Sequence, residues 1–175
     1  DNCINGLRCI AFLYSLNNVT VYIKDHKFVV RSTQSGAEVS GALPIVNKNS
    51  NYHVINFGNN HIAREYPDIE TINLESEYKK LKSSKEFEEI KNFNFSIYKK
   101  SKYNIAIRTY ENGTGETLSC GSATISVAYA LLKDTNKNEL LFTSKGGETK
   151  VLIDDESVTS TANAVIPVSY THLRA

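Results

Sequence analysis

Two cysteines of this chain stand at the same kind of place. Cys3, in DNCINGLRCIAFLY (residues 1–14), precedes an apolar pattern of helical spacing, Leu7, Ile10, Ala11 and Tyr14. Cys120, in ENGTGETLSCGSAT (residues 111–124), precedes a second, Ile125, Ala128, Tyr129 and Leu132. The spacing predicts one helix starting near Gly6 and another near Ser122. A helix N-terminus leaves its first N–H groups unsatisfied and carries about half a positive charge, so a thiol there is expected to have a lowered pKa. The same N–H groups bind a carboxylate. Two such ends facing one another would hold an amino-acid carboxylate between two thiols. One thiolate could take the α-proton while the other, still protonated, donates from the opposite face.

Other chemistries fit less well. A lone cysteine is most often an inert buried hydrophobe, which is the reading for Cys9 inside the first helical pattern and the open alternative for Cys3 and Cys120 on spacing alone. Cys3 and Cys9 are too far apart for a close zinc pair and His26, His53 and His61 are scattered, so no metal site is expected. No lysine follows GTGETLSCGS where a phosphate-binding loop needs one. Asn18, Asn94 and Asn112 sit in glycosylation-type triplets, read as chance in a sequence that opens with no secretory signal.

The elements that must position the cysteines read as α+β, with strands outnumbering helices. VTVYIKD and KFVVRST form a hairpin around Asp25-His26, and YHVINF is a strand running into a polar loop, Gly58 to His61. Ser76 to Phe93 reads as a charged surface helix, and YNIAIRTY (103–110), ELLFTS, KGGETKVLI and SVTST as strands. The repeat of cysteine before helix suggests two related halves. In 175 residues, 20 lysines and arginines against 19 acids give a net charge of +1, with neither a nucleic-acid footprint nor a polybasic membrane patch. No apolar run has the length of a membrane span. Three cysteines are too few for a disulfide scaffold, so a reducing cytoplasm is expected. The absence of methionine suggests a fragment, and VSYTHLRA (168–175) looks like a non-native tail.

The motifs resemble those of the diaminopimelate epimerase family, isomerases that invert an amino-acid α-carbon without a cofactor. CINGLRC is similar to that family's CGNGLRC, and YENGTGETLSCGS to its YERGxGETxACGS. INFGNNH resembles its GNPH segment, NFNF its short Asn-containing strand, and GGETKVLI with VTSTANAV its closing strands. The resemblance covers nearly all of residues 1–165. It implies two pseudo-symmetric α+β halves, each a mixed or antiparallel sheet around a central helix, with the active site between them. The first half would be truncated: 1–42 a remnant of it, 43–167 the second half, 168–175 the tail.

Carried over, the resemblance makes Cys3 and Cys120 the catalytic pair. Ile4, Asn5, Gly121 and Ser122 fall at substrate-binding positions, with backbone N–H groups of Asn5, Gly121 and Ser122 receiving the reacting carboxylate. Asn59 and Asn92 would bind the far end of the substrate, and His61 and Glu111 would set the protonation of the thiols, with Glu111 also at a substrate-binding position. Two positions depart from the family. Ile4 replaces a glycine, which is poor if φ must be positive. Asn112 replaces the arginine that clamps the substrate's distal carboxylate, and it cannot offer that charged fork. The implied activity is interconversion of LL- and meso-diaminopimelate, in lysine and cell-wall precursor biosynthesis. The alternatives are a racemase of another amino acid or a catalytically dead binding relative. The expected partner is a small-molecule amino acid, with no cofactor, metal, nucleic acid or membrane, and a homodimer is possible at full length.

Overall fold

The computed structural model describes residues 3–48 and 51–165. The proposed tail at 168–175 lies outside the described residues. In chain order, helix α1 (Ile4–Leu13) leads into β1 (Val19–Ile23), β2 (His26–Ser32), β3 (Gly36–Ala42), β4 (Ile45–Lys48), β5 (His53–Asn56) and β6 (Asn60–Glu65). Helix α2 (Leu74–Lys82) is followed by β7 (Phe93–Lys100), β8 (Ile105–Glu111) and β9 (Gly115–Thr117). Helix α3 (Gly121–Leu132) then precedes β10 (Glu139–Ser144), β11 (Gly147–Ile153) and β12 (Ser157–Asn163). The fold is α+β, as expected.

One mixed sheet runs in the order β1-β2-β3-β12-β11-β10-β8-β7-β6-β5-β4, with β9 attached to β8. Its pairs are antiparallel except β6 with β7 and β8 with β10. The first three strands join the last ones through β3, which pairs with β12 from Gly36↔Asn163 to Ala42↔Ser157.

The sheet curls around α3, which contacts β5, β6, β10, β11 and β12. Every residue of α3 is buried except Tyr129 and Leu131. This is more than the one-sided stripe that its spacing implied, and small Gly, Ala and Ser residues make the close approach possible. Helix α1 lies on β2 and β3 and buries one face, Ile4, Leu7, Arg8 and Ala11. Ile10 and Tyr14, counted on that face from their spacing, are 50% and 68% exposed.

A second core holds α2 against the outer side of the sheet, with Leu74, Tyr78 and Leu81 packed on Phe93, Phe95 and Ile97. Strand β7 is therefore buried on both faces from Phe93 to Tyr98. The helix read at 76–93 is shorter than its pattern: α2 ends at Lys82 and only a 3₁₀ turn, Lys85–Phe87, continues it. Ser83 Oγ donates back to the carbonyls of Lys79 and Lys80 and Ser84 caps the 3₁₀ turn, so two serines end the helix. Strands β3, β4, β6 and β9 escaped the sequence reading, and Asn60 and His61, read as loop, open β6.

Candidate active site

Each of the two cysteines caps a helix. Cys3 is the N-cap of α1, its Sγ accepting the Gly6 N–H at 3.4 Å, and Cys120 is the N-cap of α3. The two N-termini meet. A Cβ on Gly121 would lie 2.9 Å from Asn5 Oδ1 and 2.9 Å from Ile4 Cβ, so only glycine allows this approach. Asn5 ties the ends together: its Nδ2 donates to the Ser119 carbonyl at 2.9 Å, and its Oδ1 accepts from the Arg8 guanidinium at 2.6 Å. Arg8, buried in turn, donates to Ser160 on β12.

Between these ends opens a cleft of about 150 Å³. Cys3, Ile4 and Asn5 form one wall and Ser119, Cys120, Gly121 and Ser122 the other. Asn59, Asn94, Glu111, Asn112 and Thr114 close the far side. Of the residues expected here, all but His61 and Asn92 line the cleft. Asn94, Thr114 and Ser119 were not anticipated. Asn94 follows Asn92 by two residues, the spacing that puts both on one side of an extended chain, so alternation was the available signal.

The glycine-rich stretch before Cys120 makes a hairpin. Gly113 and Gly115 have φ of 82° and 103°, and the Thr114 N–H closes the turn on the Glu111 carbonyl at 3.1 Å. Glu116 binds the Arg108 guanidinium in a fork of two 2.8 Å bonds, and Lys145 joins it at 3.1 Å. The turn thus presents Glu111 and Asn112 to the cleft. The Asn112 N–H donates to Asn94 Oδ1 at 2.9 Å, which fixes the strand end. Asn92 stands behind Asn112, whose Nδ2 reaches Asn92 Oδ1 at 3.5 Å.

The two thiols have different surroundings. Cys3 is exposed, while Cys120 is 7% exposed and lies 3.5 Å from Ser122 Oγ. Burial pushes the Cys120 thiol up to about 11, and the negative charge of Glu111 adds to the shift. The Ser122 hydroxyl and the Ala123 N–H act the other way and are outweighed. The lowered pKa expected of a thiol at a helix N-terminus is therefore not found at Cys120. Taking the thiolate out of water costs more than the helix end returns.

His61 is fully buried in β6, with both ring nitrogens lacking a partner among the described residues. Burial pulls its pKa down to about 3, so the ring is neutral. Asn59 Oδ1 is likewise buried without a hydrogen-bond partner, although its residue lines the cleft. Ile4 is helical and buried against Gly121, so the anticipated conflict with a positive φ does not arise. Among the described residues no group of three or more His, Cys, Asp and Glu side chains could hold a metal ion. None of the described helices is long and apolar enough to cross a membrane.

The family model of diaminopimelate epimerase matches residues 53–166. The diaminopimelate epimerase of Acinetobacter baumannii (strain AYE) is 27% identical over 157 residues, which cover 73% of this chain and 56% of that protein. That of Buchnera aphidicola subsp. Baizongia pistaciae is 34% identical over 111 residues, 63% of this chain and 38% of its own. The chain thus spans about half the length of the curated relatives it matches. Two solved structures share the fold. A phenazine biosynthesis protein of the PhzF family from Bacillus anthracis has a TM-score of 0.57 at 14% identity, covering 81% of this chain and 63% of that one. A phenazine biosynthesis PhzC/PhzF protein from Clostridium difficile (strain 630) has a TM-score of 0.63 at 12% identity, covering 96% and 74%.

Proposed function

The chain belongs to the diaminopimelate epimerase family, and from that premise we propose that its cleft inverts the α-carbon of an amino acid by a two-thiol proton transfer. The observation that carries the reading is the meeting of two cysteine-capped helix ends on one cleft. The substrate α-carboxylate sits against the first N–H groups of α1 and α3, where Asn5, Gly121 and Ser122 present them. Cys3, as thiolate, removes the α-proton from one face, and Cys120, as thiol, delivers a proton to the other. After the transfer Cys3 carries the proton and Cys120 the charge, so the product is processed in the opposite direction by the reverse pair of steps. No electron or group leaves the substrate, and the scheme calls for no cofactor.

The surroundings of Cys120 suit a donor. Burial and Glu111 keep its proton on at neutral pH, while the Ser122 hydroxyl and the Ala123 N–H stand ready for the thiolate it becomes. Glu111 accepts the Thr117 hydroxyl at 2.6 Å, which holds its carboxylate in place. The first-choice substrate is diaminopimelate, as LL and meso forms, in cytoplasmic lysine and cell-wall precursor biosynthesis. Asn59 Oδ1, an acceptor with no partner of its own, suits the substrate's distal ammonium. A racemase of another amino acid is the second reading, favoured by the loss of an arginine at position 112.

The test is α-hydrogen exchange in D2O, followed by mass spectrometry, over a panel of L- and D-amino acids with diaminopimelate included. Deuterium is expected at the α-carbon of diaminopimelate with inversion of configuration. Exchange on no amino acid in the panel would discard the reading.

A further inference from the structure

Asparagine followed by glycine occurs twice in the chain, at Asn5-Gly6 and at Asn112-Gly113, and the fold treats the two pairs differently. Such a pair is chemically fragile, because a glycine with no Cβ lets its own backbone nitrogen swing onto the preceding side-chain amide carbon. Asn112-Gly113 is the tip of the turn that Thr114 closes on Glu111. The Gly113 N–H and the Asn112 backbone carbonyl make no hydrogen bond among the described residues. Nothing lies within 4 Å of where a Cβ on Gly113 would stand. Rotating this one peptide plane therefore breaks no hydrogen bond and has open space around the glycine.

The Asn112 side-chain oxygen, Oδ1, accepts from the Tyr78 hydroxyl at 2.7 Å and from the Lys82 ammonium at 3.0 Å. Two donors on an amide oxygen, one of them charged, stabilise the negative charge that develops there when a nucleophile adds to the carbon. Asn5-Gly6 lies instead in the first turn of α1, where the Gly6 N–H is bound to Cys3 Sγ. The Asn5 amide donates to the Ser119 carbonyl and accepts from the Arg8 guanidinium. Arg8 polarises the Asn5 amide much as Lys82 does that of Asn112, so the difference lies in backbone freedom. The same rotation at Asn5 must first undo the start of α1 and its tie to Ser119.

We propose that Asn112 is a site of self-modification, converting in the folded protein through a cyclic imide to aspartate and isoaspartate, while α1 preserves Asn5. The Gly113 nitrogen gives its proton to solvent and bonds to the Asn112 side-chain carbonyl carbon. The bond from that carbon to Nδ2 breaks, and the nitrogen takes up a proton and leaves as ammonia. Water then adds to either carbonyl of the five-membered ring and opens it. One water is consumed and one ammonia released, with nothing oxidised or reduced. The product puts a carboxylate beside Lys82, next to Glu111 on the cleft wall, where an amide stood. This chemistry does not depend on what the cleft catalyses.

The experiment ages the folded 175-residue chain at mildly alkaline pH and follows both pairs by peptide mapping and mass spectrometry. The mass gain of an amide turned acid is expected at Asn112, part of it as substrate for an isoaspartate-specific methyltransferase. It should quicken as pH rises, because Gly113 must lose a proton. Asn5 is expected to convert about tenfold more slowly or less, since α1 must open first. In urea, where neither restraint survives, the two pairs should convert at similar rates. Lys82→Met, shown to be folded by thermal unfolding, should slow the conversion of Asn112 several-fold and leave its rate in urea unchanged. A folded chain that keeps Asn112 intact while the unfolded one converts overturns the proposal, as do equal rates at Asn5 and Asn112 in the folded state. Faster conversion in Lys82→Met would mean that the ammonium restrains the amide, and overturns its activating part.

Discussion

Helices α1 and α3 begin alike, with a cysteine N-cap and a glycine within the first three residues, and then diverge. Around α3 the sheet closes on nearly every side, while α1 rests on β2 and β3 and leaves Ile10, Leu13 and Tyr14 at least half exposed. The thiols inherit this difference: Cys120 is buried and Cys3 exposed. Helix position alone therefore does not set the proton affinity of Cys120, because the cost of desolvation is set by what surrounds the helix end.

The sharpest way to break the comparison is to remove either thiol. Cys3→Ala and Cys120→Ala are each expected to lower the rate of inversion by roughly 10²–10⁴-fold, the usual contribution of a positioned acid or base. Cys9, expected to be buried, is exposed on α1, and Cys9→Ala should leave the rate intact. An enzyme that inverts diaminopimelate at full rate without Cys120 would falsify the two-thiol scheme.

Packing is the next lever. Ile125, 1% exposed inside the sheet's curl, should cost about 2–5 kcal/mol when cut to alanine. Ile10→Ala on the open face of α1 should stay within about 0.5 kcal/mol. Urea unfolding of the two variants measures the contrast, and equal losses would mean that α1 is as enclosed as α3.

Proton affinity gives a pH signature. Folding raises the Cys120 pKa from 9.0 to about 11, so the folded state holds this proton more tightly than the unfolded one. Its contribution to stability is whole below about pH 9 and is lost as pH rises through 11, amounting to about 2–3 kcal/mol. Stability measured by urea unfolding between pH 7 and 11 should fall less steeply in Cys120→Ala than in the unsubstituted chain. Parallel profiles would show that burial leaves this thiol's proton affinity unchanged.

The smallest effect concerns the contact between the two helix ends. Gly121→Ala puts a methyl 2.9 Å from Ile4 Cβ and Asn5 Oδ1, and the helix ends must part by a few tenths of an ångström. A loss of about 1–3 kcal/mol is expected. Exchange activity should fall along with it, because the two thiols must flank one carbon. Full activity would place the productive geometry elsewhere.

Several features of the site could be read directly from residue order. Apolar residues at helical spacing just after each cysteine marked a helix start there, because that periodicity is local. The two glycines in ENGTG required a turn, since their φ values suit few other residues. The edges of β10 and the pairing of β1 with β2 followed from alternation and turn chemistry in the same way.

Tertiary structure decided the rest. Cys120 keeps its proton because strands distant in sequence wrap α3, and helix position alone pointed the other way. Arg108 lies four residues before Asn112, yet its guanidinium is committed to Glu116, while Lys82, from a helix thirty positions earlier, reaches Asn112. His61 stands two residues from Asn59, and strand packing buries its ring in the core while Asn59 lines the cleft. Sequence determines what a backbone segment can form by itself. Charge and solvent at a site depend on elements brought together across the chain, and no local pattern carries them.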